Sequence, residues 1–176
     1  MKRVLAAGLL LFCVAVFAHG QTGGKWIQYD SVEGRYSVLL PGDPSIGQQE
    51  AIDSDGNRYQ QHKSSAFEDA CLFLIGYYDY EKPTRFSFKK AQNGIIANAK
   101  GTLISEDAID LGGIRGHELK FSTTRDGISY LVRARLYNVG ERVFVVQCIY
   151  PKNDDGPAID AKAAKFFNSF IVKPLR

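Results

Sequence analysis

The sequence predicts an α+β domain: a mostly antiparallel β-sheet of about eight strands packed with two main helices. Three observations carry this reading. Several segments alternate apolar and polar residues at period two, the signature of half-buried strands. In the second half, four such segments follow one another with only short glycine-containing turns between them, which predicts an antiparallel meander. Two other segments space their apolar residues three or four apart, as buried helix stripes do: Phe88, Ala91, Ile95 and Ala99, then Ile159, Ala163, Phe166, Phe167 and Phe170.

In chain order, Lys25–Tyr29 opens as a short strand, a turn follows at Ser31–Arg35, and Tyr36–Leu40 is the second strand. Pro41 and Pro44 stop it, because proline offers no ladder donor. Ser45–Ile52 and Arg58–Phe67 flank Asp55-Gly56 as a hairpin, and their polar composition predicts an edge or solvent position. Ala70–Tyr80 differs: Leu72, Leu74 and Tyr78 lie on one side, Phe73, Ile75 and Tyr77 on the other, so the strand should be covered on both faces. Pro83 sits where a helix can begin, since a first-turn proline loses no hydrogen bond, and Gly101 ends that helix. Thr102–Leu111, Ile114–Thr124, Ile128–Asn138 and Arg142–Tyr150 form the meander, turning at Gly112-Gly113, Asp126-Gly127 and Gly140-Glu141. Pro157–Phe170 is the last helix, with a short tail at Ile171–Pro174.

Lys2 and Arg3 precede an uncharged apolar run from Val4 to Ala18. A charged start and an apolar run of about fifteen residues, where a bilayer span needs about twenty, read as a cleaved secretory signal. Cleavage after Ala18 or after Gly20 fits the small-residue rule; the second leaves Gln21–Gly24 as a flexible leader. The expected organisation is a signal over 1–20, a leader over 21–24 and a single domain over 25–174, exported to the periplasm or beyond the cell, with no membrane span after cleavage. Cys13 lies inside the apolar run behind Phe12, so it is not a lipidation site. The chain holds 22 basic and 19 acidic residues; without Lys2 and Arg3 the remainder is 20 against 19, a net +1. That balance excludes the strong positive field that nucleic-acid binding requires.

Cys71 and Cys148 are the cysteines beyond the signal. Each lies in an apolar strand, so they are either two small buried hydrophobes or a disulfide, which an oxidising compartment permits. His62 and His117 lie alone in polar strands, without ligand spacing for a metal. His117 and Glu118 are adjacent in a strand and so point to opposite faces. Asp53, Asp55 and Asn57 resemble the start of a calcium loop, but Arg58 stands where its glycine belongs and Ser64 where its closing glutamate belongs. No G-x-S-x-G elbow or phosphate loop is present. No cofactor and no catalytic residue are therefore expected. The candidates for contact with a ligand or partner are Tyr77 and Tyr78, with Tyr80 beside them, as an aromatic strand end, and Arg133 and Arg135, with Arg115, as an anion-binding face.

Trp26, then Gly34-Arg35-Tyr36-Ser37-Val38 leading to Pro41, resembles the start of the PsbP-like superfamily. Gly113–Glu118, Arg135-Leu136-Tyr137, Arg142-Val143-Phe144 and the closing Lys165–Phe170 extend the resemblance over about residues 25–172. It implies an α/β/α sandwich, with an antiparallel sheet between helices, and a role as a binding or accessory module. It carries no site residue across, and the lipobox of DcrB-type envelope lipoproteins is missing. Three functions stay open. One is an exported, non-catalytic module binding an envelope protein or a small ligand. The others are a structural subunit of a membrane complex and a hydrolase with a scattered site. A shallow aromatic groove would favour the first, a broad apolar patch the second, and a deep pocket with convergent polar groups the third.

Overall fold

The computed structural model describes residues 25–52, 58–79 and 86–173. The elements run β1 (Ile27–Ser31), β2 (Tyr36–Leu40), β3 (Ser45–Ile52), β4 (Arg58–Glu68), β5 (Cys71–Asp79), α1 (Phe88–Asn98), β6 (Thr102–Leu111), β7 (Ile114–Arg125), β8 (Ile128–Val139), β9 (Arg142–Pro151), α2 (Pro157–Ser169) and β10 (Ile171–Val172). The α+β class holds. The strands form two sheets: a seven-stranded sheet in the order β3-β4-β5-β9-β8-β7-β6, and a small one in the order β1-β2-β10. Every paired neighbour in both is antiparallel.

The chain leaves β5 near the middle of the large sheet, reaches the far edge at β6 through α1, and returns by the meander, so β9 slots beside β5. The turns carry the geometry that tight hairpins need. Gly112 and Gly113 have φ of 60° and 92°, and Asp126 and Gly127 of 50° and 78°, as type I′ turns require. Polar β3 is an edge strand, as its composition predicts, but polar β4 is internal, because it must pair with both β3 and β5.

β5 is buried from Cys71 to Tyr78, on both faces. On one face, Cys71, Phe73, Ile75 and Tyr77 join Phe144, Val146, Cys148 and Tyr150 of β9 beneath Tyr36, Val38 and Leu40 of the small sheet and Ile159, Ala163, Phe166 and Phe167 of α2. On the other face, Leu119, Phe121, Val132, Ala134, Leu136, Val143 and Val145 pack beneath Ile95 of α1 and Ala99, the residue that caps its end. The large sheet is thus the middle of three layers, and the apolar stripes read from the sequence are its helix contacts.

Both ends of α1 follow from side chains the sequence displays. Its first residue is Phe88, not Pro83, which lies outside the described residues. Ser87 is extended and its hydroxyl accepts a hydrogen bond from the Lys90 amide at 3.3 Å, which caps the helix there. At the far end Gly101 N donates to Ile96 O at 2.8 Å and Lys100 N to Ala97 O at 3.0 Å, a Schellman closure. The left-handed residue of that closure is Lys100, at φ 50°. Gly101 serves a different need: a Cβ there would lie 2.9 Å from both the Phe121 ring and Ser122 O.

Gly116 meets the same constraint on the other sheet face. A Cβ there would sit 2.6 Å from Tyr137 Cδ1 and 2.7 Å from Leu136 O. Gly116→Ala is therefore expected to cost about 1–3 kcal/mol, the usual range for overpacking. Equilibrium denaturant unfolding measures it, and an unchanged midpoint would contradict the close approach.

Candidate functional site

The β1–β2 turn, Ser31 to Arg35, arches toward the ends of β4, β5 and β9. Gly34 N donates to Ser31 Oγ at 3.0 Å, closing the turn on itself. Arg35 takes φ 54°, and any Cβ on Gly34 would run into the Tyr36 ring. This geometry leaves Val32 at the tip, 90% exposed.

Arg142, the first residue of β9, fastens the turn to the large sheet. Its Nη1 donates to Glu33 O at 2.7 Å, while Nε and Nη2 reach the two carboxylate oxygens of Asp79 at 2.6 Å each. The same guanidinium lies 4.5 Å from the centroid of the Tyr77 ring. His62 stacks on Tyr77 with centroids 4.6 Å apart and planes 8° from parallel, because the two are directly opposed across β4 and β5. The hydrogen bonds from Arg142 hold the Asp79 carboxyl below its ordinary range. Burial pushes the Tyr77 phenol up to about 12, so both groups keep one protonation state through the neutral range.

Beside this stack opens a cleft of about 170 Å³ between the turn and the β3–β4 strands, whose lining includes Tyr29, Glu33, Ile46, His62, Lys63 and Tyr77, with Val32 at its rim; the Lys63 ammonium is held by Gln49 Oε1 at 2.6 Å. At its base Tyr36 donates to Ser64 Oγ at 2.8 Å. The Ser64 hydroxyl accepts from Tyr36 and donates to the Tyr29 hydroxyl at 3.4 Å, so its proton is directed to Tyr29 and not to His62 as a nucleophile's would be to its base. Burial also pushes the Tyr36 phenol up. Glu33 Oε1 lies 3.5 Å from His62 Nδ1, and the glutamate side chain is 69% exposed. Ile46, 63% exposed, lines the same cleft as Val32. The site can make aromatic, aliphatic and carboxylate contacts. Among the described residues, no three histidine, cysteine, aspartate or glutamate side chains are grouped to hold a metal ion.

The four contact residues expected from the sequence do not form one surface. Tyr77 belongs to the cleft but is 4% exposed, so it serves as a wall behind His62. Tyr78 points to the opposite face, where it packs against Tyr59 at 4.6 Å under the α1 layer. Arg133 and Arg135 share the α2 face. Arg135 donates to Glu118 at 2.5 Å and lies over Phe167 at 4.7 Å; Arg133 binds Asp160 of α2 at 2.9 Å. Their charges are met by Glu118 and Asp160, and they anchor α2. Arg115 does not join them: it is opposite Asp110 on the other face of β7. His117 and Glu118 do point apart, His117 stacking on Phe88 at 4.4 Å while Glu118 binds Arg135. Tyr80 and Asp53, Asp55 and Asn57 lie outside the described residues.

Sequence reading passed over Glu33, Arg142 and Asp79. Each pair is joined across tens of residues, and no local spacing marks them. The one visible signal was Arg142 beginning a strand otherwise buried along almost its whole length.

This architecture is a PsbP-like α+β fold. It is similar to the solution structure of cyanobacterial PsbP (CyanoP) from Synechocystis sp. PCC 6803, with TM-score 0.57 and 13% identity over 94% of this chain and 99% of that one. It is also similar to PA94, a protein of unknown function from Pseudomonas aeruginosa, with TM-score 0.53 and 16% identity over 86% of this chain and the whole of that one. No protein-family model and no curated protein sequence matches the chain. At such identities the likeness is one of fold, and the site must be argued from its own residues. No helix among the described residues is long and apolar enough to cross a membrane.

Proposed function

We propose that this chain is an exported, non-catalytic accessory module that docks a protein of the cell envelope at the cleft beneath the β1–β2 turn. The observation that carries the reading is the cleft itself: a fixed aromatic wall of His62 on Tyr77, a solvent-facing carboxylate on Glu33, and exposed Val32 and Ile46 at the opening. At about 170 Å³ it is smaller than the roughly 300–1,000 Å³ of ordinary small-molecule pockets. It suits one inserted side chain of a larger partner. A lysine or arginine fits its chemistry, with the stem against Val32, Ile46 and Tyr29 and the cationic head at Glu33. The fold likeness to PsbP and the apolar leader favour an extracytoplasmic accessory role.

A photo-crosslinking residue placed at Val32 of the full chain in living cells tests this. One discrete adduct with an envelope protein is expected from Val32, none from Ile104 on the distant β6 edge, and loss of the adduct on Glu33→Lys. All three substituted side chains are exposed, so the unfolding free energy should stay within about 0.5 kcal/mol of wild type. Equal crosslinking from Ile104, or an adduct indifferent to Glu33→Lys, would refute the cleft as the docking site.

A further inference from the structure

Cys71 and Cys148 lie under α2 on adjacent central strands of the large sheet, and both are fully buried. Cys148 is directly opposite Phe73, so Cys71 is its diagonal neighbour on the same face. Their sulfurs are 3.0 Å apart as two unbonded thiols in contact, about 1 Å more than a disulfide bond. Beyond the signal the chain has no other cysteine that could compete for either sulfur. Around the pair are the rigid middle of the sheet and the apolar side of α2, with Phe73 and Phe166 in edge contact at 5.2 Å.

We infer that Cys71 and Cys148 are a covalent crosslink site, joined as a disulfide in the exported protein. The step is thiol–disulfide exchange. One thiolate attacks an external disulfide, of the kind a dithiol–disulfide oxidoreductase or glutathione disulfide supplies, and releases one oxidant thiol. The second cysteine then displaces the other oxidant sulfur. The S–S bond between β5 and β9 forms, the oxidant's S–S bond breaks, and the two cysteine protons pass to the two released thiols. The oxidant thereby accepts the two electrons that the cysteines lose.

The timing follows from burial. Neither sulfur reaches solvent in the folded domain. Contact with Cys148 and burial together push the Cys71 thiol up, so the reactive thiolate is suppressed there. Exchange therefore belongs to the chain before β5 and β9 are covered by α2. Once folded, the bond is closed to reductants, which makes it a structural staple and not a switch. The crosslink spans strands far apart in sequence, so it restricts the unfolded chain over a long loop and raises resistance to unfolding.

The in-cell expectation rests on export, so the test reads both properties on the same molecules. The full chain, made with its leader in a bacterial host, is isolated without reductant, unfolded in an alkylating agent and weighed intact. The expected species lacks the leader and carries no alkyl group, gaining two only after reduction. A leaderless chain with two alkyl groups overturns the crosslink. A chain that keeps its leader refutes export instead, and a second measurement then decides the crosslink. Reduced, urea-unfolded protein is refolded with glutathione disulfide and digested. A linked Cys71–Cys148 peptide and a higher urea midpoint than the Cys71→Ser/Cys148→Ser variant support it. Refolding to the native state with both thiols free overturns it. Folded oxidised protein should also lose the bond to a thiol reductant at least tenfold faster in urea than in buffer.

Discussion

Phe170→Ala is expected to lower the unfolding free energy by about 4 kcal/mol, the middle of the range for a buried aromatic cut to alanine. Phe170 is the residue after α2, 1% exposed, and its extended backbone turns the chain from the helix into β10. Its ring stacks on Tyr137 at 5.7 Å, meets Phe144 edge-on at 5.5 Å and lies 5.7 Å from Tyr36. One side chain thus joins the last helix, the small sheet and two strands of the large sheet. The neighbours are strand residues held by their ladders, so they cannot collapse into the space left behind. For a domain of this size about 4 kcal/mol corresponds to roughly 8–16 °C in thermal midpoint. Ile171→Ala, one residue on, removes a side chain that is 57% exposed and should cost about 0.5 kcal/mol or less. Comparable losses from the two variants in denaturant titrations would mean that Phe170 is not the joint of the layers.

The contrast between those neighbouring residues also shows what was legible in the sequence. Phe170 closes a stripe at helical spacing, so its burial could be read from Ile159, Ala163 and Phe166 alone. The meander was equally plain, because Gly112-Gly113 and Asp126-Gly127 occur where only tight hairpins place such pairs. The doubly apolar β5 gave away a middle layer covered on both faces. What could not be read was which strands leave the main sheet. β1 and β2 have the same alternation as the rest, and their separation into a small sheet with β10 depends on α2 returning the chain to Ser37 and Tyr36. The end of α1 misleads for a similar reason: Gly101 marks the boundary, yet it is required by Phe121 across the layer and not by the turn.

The candidate site was still less legible. Tyr77 was visible as an aromatic strand end, but its partners His62 and Arg142 come from two other strands and Glu33 from a turn. Arg133 and Arg135 offer an anion site or a face paired with a neighbour such as Glu118; the structure shows the pairing, and Asp160 and Phe167 of α2 complete it. Tyrosine and arginine content points to contact chemistry; the side of the sheet each residue takes, and what covers it, are long-range facts.

Arg142→Met is the second large effect, expected to cost about 2 kcal/mol at neutral pH. Methionine keeps much of the apolar stem but forfeits the two bonds to Asp79, the bond to Glu33 O and the cation over Tyr77. Loss of one partner of a fully buried pair costs about 3–5 kcal/mol. The Asp79 side chain is 52% exposed, so water recovers part of it and the smaller figure applies. The pH dependence separates this from a packing defect. Arg142 depresses the Asp79 carboxyl in the folded state, so the unfolded chain binds the proton more readily. The resulting stability is fully present above the unfolded value of about 3.9 and is lost as the pH falls through the lower folded value. Wild type should therefore lose stability more steeply than Arg142→Met below about pH 4, and parallel acid limbs would show that the pair contributes nothing. The same variant bears on docking. Arg142 grips the backbone carbonyl of Glu33, not its carboxylate; the fold uses one end of that residue and leaves the charged end for a partner. Arg142→Met should thus weaken both stability and the Val32 crosslink, whereas Glu33→Gln should weaken the crosslink alone, because the carbonyl that Arg142 holds is still there.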